Sequence, residues 1–495
     1  MTNIEELEHL YAEIQDLRHG LNILGWDQQV MMPQGGATAR AHTLATLTGL
    51  AHQKITDPQL RKLTRSLSRK KSLPRARRRT VELVAREVDK ASAVPSSLAK
   101  DIAHAESQGL ESWQAAREAK SFKRFAPDLT RMVDLKREVA RLTAGRGRLY
   151  DALLDNFEPG ATVKQIDPLL GELKAVTVPL LESVVASRKK LDLRPFVGRF
   201  DVSAQQDFAR AVALSMGIDP DRSRMDRSTH PFCGGIGPDD VRMTARYDRK
   251  DTRGGLFGVI HEAGHGLYEQ GLDARRLRTP LGGAISMAIH ESQSRLWENN
   301  VARSRPFWKH WLPKLRRAHP QLKGVTLDTV WAAANVMKPS MIRVEADELT
   351  YNLHIILRYE IERDLIEGQL EVKDLPSRWN AAMHDTLGIT PRHDSEGVLQ
   401  DIHWSMGLFG YFPTYSIGNL YAAQFMEAAR KSIRGLDGKI AAGNMVPLRE
   451  WLRDNIHRHD QVYTADQTVK RVTGKPLAID AFRKYITKKV RAIYG

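Results

Sequence analysis

The sequence predicts a mostly helical chain interrupted by one short strand region. Three observations predict it. Apolar residues recur at three- and four-residue spacing along most of the 495 residues. Strict apolar–polar alternation appears in one place only, residues 240–247. No composition shift, long linker or fixed 20–50-residue repeat divides the chain, so 1–495 reads as a single domain rather than a solenoid.

The elements follow in order. Ile4, Leu7, Leu10, Tyr11, Ile14 and Leu17 form one helical stripe, with Asn3 as cap and Gly20 as the expected stop. Amphipathic spacing predicts further helices over 80–108, 127–155, 163–189 and 204–216. Gly234-Gly235-Ile236-Gly237-Pro238 reads as turn chemistry. In the strand that follows, Val241, Met243, Ala245 and Tyr247 share one face, and Arg242, Thr244 and Arg246 share the other. A long helix is expected over 343–366, then helices over 417–435, 446–457 and 478–493.

Composition sets outer limits. With 42% hydrophobic and 27% charged residues the chain is an ordinary globular protein, which argues against whole-chain disorder. One cysteine, Cys233, rules out an intrachain disulfide and fits a reducing compartment. The N-terminus carries acid where a secretory signal needs base, and no apolar run reaches a membrane span, so a cytoplasmic protein is expected. Formal charge is +16, and the densest basic run covers 69–79. It reads as a solvated loop and helix start. No aromatic residue interrupts it to stack on bases, so nucleic acid is not expected as a partner.

The chemistry concentrates in His261-Glu262-Ala263-Gly264-His265. Histidines at i and i+4 lie one helical turn apart and can reach the same ion, and imidazole nitrogen suits zinc. Glu262 follows the first histidine, where it can serve as general base without binding the metal. Gly264 and Gly266 flank the second histidine and allow close approach of another element. A catalytic site needs a third protein ligand. Glu291, in His290-Glu291-Ser292-Gln293, fits a ligand from a following helix; His290 and Glu298 are the rival donors.

With those residues in view, the sequence resembles the thermostable carboxypeptidases of the Taq type. The family signatures stand in order. They are His230-Pro231-Phe232, Asp240-Val241-Arg242-Met243-Thr244, the HEAGH segment and His290-Glu291-Ser292-Gln293. Ile342-Arg343-Val344-Glu345-Ala346-Asp347 and the segment from Gly397 through Gln400, Asp401 and His403 to Trp404 complete the set. Trp26-Asp27-Gln28, Leu153-Leu154-Asp155 and Glu158-Pro159-Gly160 also look familial. The net charge departs from the more acidic protein the resemblance leads one to expect.

The resemblance implies a saddle-like, mainly α enzyme with a deep groove and a small β-sheet near the metal, related in fold to neurolysin and angiotensin-converting enzyme. In that reading 1–190 is a helical part and 191–495 carries the site. It implies a homodimer that removes C-terminal residues from peptides with broad specificity. One zinc per chain would be held by His261, His265 and Glu291, with cobalt a workable substitute. His230, His403 and Tyr415 would stabilise the oxyanion. Arg343 and Arg242 are the arginines expected at the substrate carboxylate, because a guanidinium fork matches it in two hydrogen bonds. Two other readings stay open. One is an endo-acting oligopeptidase on the same fold. The other, which rests on charge alone, is a non-catalytic basic protein that binds nucleic acid.

Overall fold

The computed structural model describes residues 2–70 and 72–495; Met1 and Lys71, the latter within the basic run, lie outside them. Helices α1 (Asn3–Val30), α2 (Ala37–Ile55), α3 (Pro58–Ser68) and α4 (Arg75–Ala93) come first. Ile4, Leu7, Ile14, Leu60, Leu67 and Val84, with Ile55 at the end of α2, give α1, α3 and α4 a core of their own. Then come α5 (Ser96–Glu118), α6 (Ala126–Thr143), α7 (Leu149–Leu154), α8 (Val163–Ala186) and α9 (Val202–Met216). The three strands are β1 (Ser223–Arg227), β2 (Cys233–Gly237) and β3 (Asp240–Ala245). They are followed by α10 (Arg253–Gln270) and α11 (Met287–Arg295), which runs into a π-helical stretch, Leu296–Ala302. Next are α12 (Arg305–Ala318), α13 (Leu327–Ala334), α14 (Tyr351–Ile366), α15 (Leu375–Leu387) and α16 (Pro413–Ser432). Helices α17 (Leu436–Ala441), α18 (Val446–Asn455), α19 (Ala465–Thr473) and α20 (Asp480–Tyr494) end the described chain. Apart from the α1, α3 and α4 core, most buried apolar residues form one continuous second cluster. Among the described residues, no helix is long and apolar enough to cross a membrane.

Several boundaries differ from the sequence reading for local reasons. Gly20 does not stop α1, which runs on to Val30; a glycine inside a helix costs only about 1 kcal/mol. The 80–108 helix is two helices, because Pro95 lacks an N–H and serves as N-cap of α5. The 127–155 helix breaks at Gly145, where φ is +58°. Arg343 lies outside the long helix, in a 3₁₀ turn (Arg343–Glu345) ahead of α14. The glycine-rich segment before β3 is itself a strand. β2 pairs antiparallel with β3, while β1 pairs parallel with it on the other edge. Gly235, at φ +131°, lies against Asp240 so closely that no side chain fits. Val241, Met243 and Ala245 are buried as expected, but so is Thr244 from the other face, and Tyr247 lies beyond the strand end. Thr244 is buried without penalty because its hydroxyl donates to the Phe232 carbonyl and accepts from the Phe232 N–H.

Helix α10 is apolar around most of its circumference and is enclosed on several sides. Gly266 gives way to Met243, Ile218 and Val241. Gly264 faces α11 backbone: a Cβ there would stand 2.6 Å from Ser294 Cα and 2.8 Å from the Gln293 carbonyl oxygen. On the far side of α11, a Cβ on Gly418 of α16 would stand 2.8 Å from Glu291 Cγ. Two glycines therefore set how near α10, α11 and α16 come. Gly264→Ala should destabilise the protein by about 1–3 kcal/mol or more, as overpacking against backbone does. Gly258→Ala on the same helix, where a Cβ meets nothing within 4 Å, should be neutral or stabilising. Denaturant midpoints measure both; equal effects at the two positions would mean the helices are not in backbone contact.

Candidate metal centre

His261 and His265 project from one face of α10 and Glu291 comes from the middle of α11. One donor atom from each lies within 4.8 Å of the other two. Glu291 Oε2 stands 3.5 Å from His261 Nε2 and 3.4 Å from His265 Nε2. The other ring nitrogens are already committed. His261 Nδ1 lies 3.0 Å from Glu298 Oε2, a group that only accepts, so Nδ1 carries the hydrogen. His265 Nδ1 lies 2.5 Å from His290 Nδ1, and His290 Nε2 lies 2.7 Å from Glu269 Oε1. One assignment satisfies this chain with both rings neutral: His265 Nδ1–H donates to His290, and His290 Nε2–H donates to Glu269. Both Nε2 lone pairs then face a carboxylate oxygen. Three lone pairs meeting in a buried space repel one another unless a cation stands among them, so the donor set fits a metal ion.

The rival donors His290 and Glu298 take a different place: they orient the two histidines. Metal-bound histidines commonly donate their second nitrogen to a carboxylate or its relay, which fixes the tautomer and raises ligand basicity. Glu298 reaches His261 from the π-helical stretch that continues α11.

The buried carboxylates are held ionised by arginines. Arg295, one turn beyond Glu291, donates Nε to Glu291 Oε1 at 2.6 Å and Nη1 to Glu298 Oε2 at 3.3 Å. Arg303 donates to Glu298 Oε1 at 2.9 Å. Burial opposes ionisation of Glu291, but Arg295 and the histidines outweigh it and hold its carboxyl well below the usual range. Burial and then His290 push His265 down to about 3, so it remains a neutral donor. Glu262 differs. It is 6% exposed and makes no hydrogen bond or ion pair with a described residue. Burial lifts its carboxyl to about 7, with Glu291 adding and His261 opposing. A base with no fixed partner and an affinity for protons near neutrality suits repeated proton transfer.

The start of α11 is anchored from a distance. Glu158 accepts the Ala288 N–H at 2.5 Å, and the Met287 N–H donates to the Phe157 carbonyl at 3.1 Å. Asp155 in the same loop pairs with Arg86 and Lys90 of α4. The Glu158-Pro159-Gly160 motif thus docks the helix that carries Glu291.

A second polar cluster gathers His403, Tyr415 and Arg343. His403 Nε2 lies 3.5 Å from the Tyr415 hydroxyl, and its ring packs on Phe412 and Tyr411. Burial lowers the His403 pKa to about 4 and raises the Tyr415 hydroxyl well above its ordinary value, so both are neutral donors at neutral pH. The Arg343 guanidinium pairs with Asp401, donates to the Tyr351 hydroxyl at 3.0 Å and lies over the Tyr415 ring. Asp401 also takes Arg358, which is fully buried. Two guanidiniums share one carboxylate, which leaves one positive charge uncompensated. Tyr351 joins the two clusters, since Arg295 stacks over its ring at 4.4 Å.

Two predicted residues are not drawn into these clusters. Arg242 pairs with Asp240 at 2.8 Å and stacks over Trp26 at 4.4 Å. His230 is exposed on the turn between β1 and β2, and its side chain makes no hydrogen bond. At Cys233, burial, with Glu262 and Glu269 adding, pushes the thiol well above its ordinary range, which opposes a nucleophilic role. Sequence reasoning missed Arg295, Arg303, Glu269, Tyr351 and Arg358. Only Arg295 had a local signal, its i,i+4 spacing from Glu291.

The model of the Carboxypeptidase Taq (M32) metallopeptidase family matches residues 6–490. The chain is 40% identical to thermostable carboxypeptidase 1 of Thermus thermophilus, over 96% of this chain and 95% of that one. It is 36% identical to carboxypeptidase 1 of Bacillus subtilis, over 99% and 98%. The crystal structure of the M32 carboxypeptidase from Deinococcus radiodurans superposes with a TM-score of 0.97 at 37% identity and covers 100% of both chains.

The geometry separates the three converging donors from the residues that hold the histidine rings. Glu291→Ala should abolish stoichiometric metal binding, whereas His290→Ala should keep one ion per chain at about 10–100-fold lower affinity. Competition with a calibrated chelator measures both. Stoichiometric metal in Glu291→Ala, with none in His290→Ala, would reverse the assignment.

Proposed function

We propose, because this chain belongs to the Carboxypeptidase Taq (M32) metallopeptidase family, that it removes residues one at a time from peptide C-termini through the centre on α10 and α11. The chain is a metallocarboxypeptidase and its substrates are peptides. The observation that carries the assignment of residues is the convergence of His261 Nε2, His265 Nε2 and Glu291 Oε2. Zinc is the proposed ion. At zinc–ligand distances of about 2.0–2.1 Å, two ligands of a tetrahedron stand about 3.4 Å apart. The 3.5 and 3.4 Å separations to Glu291 match that edge. Cobalt is the proposed substitute.

A bound zinc ion would supply Lewis acidity, lowering the pKa of water and polarising a carbonyl. The remaining steps belong to the side chains. Glu262 takes the proton of the attacking water and passes it to the leaving amine. His403 and Tyr415 offer neutral donors to the developing oxyanion. His230 enters as a further donor from the β1–β2 turn. Arg343 receives the terminal carboxylate, supported by the charge excess it shares with Arg358 over Asp401. Arg242 is the alternative clamp, though Asp240 already occupies its fork. The ion pair to Asp401 pre-organises Arg343 and leaves the cluster one negative charge short, the charge that a free C-terminus brings. Residues 1–190 and 191–495 are proposed to act as one catalytic unit, in a homodimer. The single cysteine supports a reducing, cytoplasmic location.

The exopeptidase reading separates from an endo-acting oligopeptidase by one ratio. Wild type should cleave a free-acid peptide well and its C-terminal amide poorly. Arg343→Ala should lose most of that preference, since removing a buried charged partner costs on the order of 2–5 kcal/mol. Arg343→Lys should restore part of it. Because general damage lowers both rates alike, the ratio reports the clamp. A preference that survives in Arg343→Ala shifts the clamp to Arg242, and equal cleavage of acid and amide by wild type would establish the endopeptidase instead.

A further inference from the structure

The basic charge is not spread evenly. Ten Lys and Arg residues and no Asp or Glu lie between positions 61 and 79, a charge of +10 within a chain of +16. Helix α3 sorts its part of this segment by face. Leu60, Thr64 and Leu67 are buried, at 1%, 3% and 1% exposure. Arg61, Lys62, Arg65 and Arg69 are exposed on the opposite side. Arg61, Arg65 and Arg69 fall at four-residue steps, a rise of about 6 Å each, so their cations form a row along the helix. Those four side chains, with Thr56 and Ser66, line a shallow concavity of about 450 Å³.

Neither Arg61, Lys62, Arg65, Arg69 nor Lys70 pairs its side chain with a described residue. Basic residues farther along do pair, as Arg79 does with Glu82 and Arg86 with Asp155. A row of unpaired cations at close spacing repels itself, and a polyanion with charges in series relieves that repulsion. Two kinds of surface carry such charges. A bilayer is flat and favours exposed apolar side chains beside the cations. Among the described residues from 51 to 79, none is an exposed large hydrophobic, and the cations rim a shallow concavity. A phosphodiester strand needs only the row of cations and no apolar contact. The missing aromatic residues exclude base stacking, not contact with phosphates, which needs none.

We propose that the cationic face of α3, formed by Arg61, Lys62, Arg65 and Arg69, binds the phosphodiester backbone of nucleic acid without regard to sequence. The site is separate from the metal centre and does not rest on the peptidase reading.

The test uses the full chain and a short duplex DNA, with binding followed by fluorescence anisotropy between about 50 and 200 mM salt. Neutralising four to five phosphates predicts a slope of log K against log salt of about −4. Arg61→Glu/Arg65→Glu/Arg69→Glu should weaken binding on the order of 100-fold or more at low salt and flatten the slope by about 3. Peptidase activity should stay at the wild-type level, which also shows that the variant folds; Arg61→Gln/Arg65→Gln/Arg69→Gln gives the same reading with less perturbation. Lys484→Glu/Lys488→Glu/Arg491→Glu changes net charge equally on exposed positions of α20 and should leave most of the affinity in place. Three results overturn the proposal: no salt-dependent binding by wild type, equal loss in the α3 and α20 variants, or tighter binding to phosphatidylserine vesicles than to DNA.

Discussion

The approach of α10 to α11 at Gly264 is the constraint on which the site depends. Two histidines one turn apart define a direction but not a cavity. The third donor enters only because α11 packs backbone against the glycine between them, which brings Glu291 Oε2 to within 3.5 Å of both Nε2 atoms. Every other part of the centre serves that approach. Gly418 admits Glu291 from the α16 side, and Glu158 holds the first turn of α11 against the Phe157 loop. A displacement of about 1 Å in α11 would leave three donors that no longer meet, and catalytic geometry tolerates little of that.

Packing alone does not account for the centre, because it buries several charges. Glu291 and Glu298 are countered by Arg295 and Arg303, so this group of four is neutral before any ion binds. A buried carboxylate without a partner carries a large desolvation penalty, whereas a hydrogen-bonded pair retains its charge at much smaller cost. That arrangement keeps Glu291 and Glu298 anionic, while burial and then His290 keep His265 neutral, both protonation states that metal binding requires. Glu262 alone is left outside the network. Its isolation, together with burial, is what suits it to hold and release a proton.

What the sequence disclosed follows from the range of each interaction. His261, Glu262 and His265 are local, fixed by helical period, and their grouping was readable directly. The signatures spread over the chain identified the family, which in turn supplied the expected roles of Arg343, His403 and Tyr415. Contacts between distant segments were not readable. Nothing near Arg343 in sequence indicates that Asp401 takes its guanidinium, because Glu345, Asp347 and Glu348 are nearer candidates. His290 and Glu298 looked like rival ligands since a sequence cannot tell a residue that binds an ion from one that orients a ligand. The helix errors have the same origin. Gly20 and the 234–237 glycines were read by propensity, and tertiary packing outweighed it.

The central claim is that the metal and the base are distinct parts, held by different residues. Glu262→Gln tests it most directly, with metal content and turnover measured on the same preparation. The account predicts one ion per chain, unchanged from wild type, together with a kcat lower by about 10²–10⁴-fold. A variant that keeps its metal and turns over at the wild-type rate would contradict it.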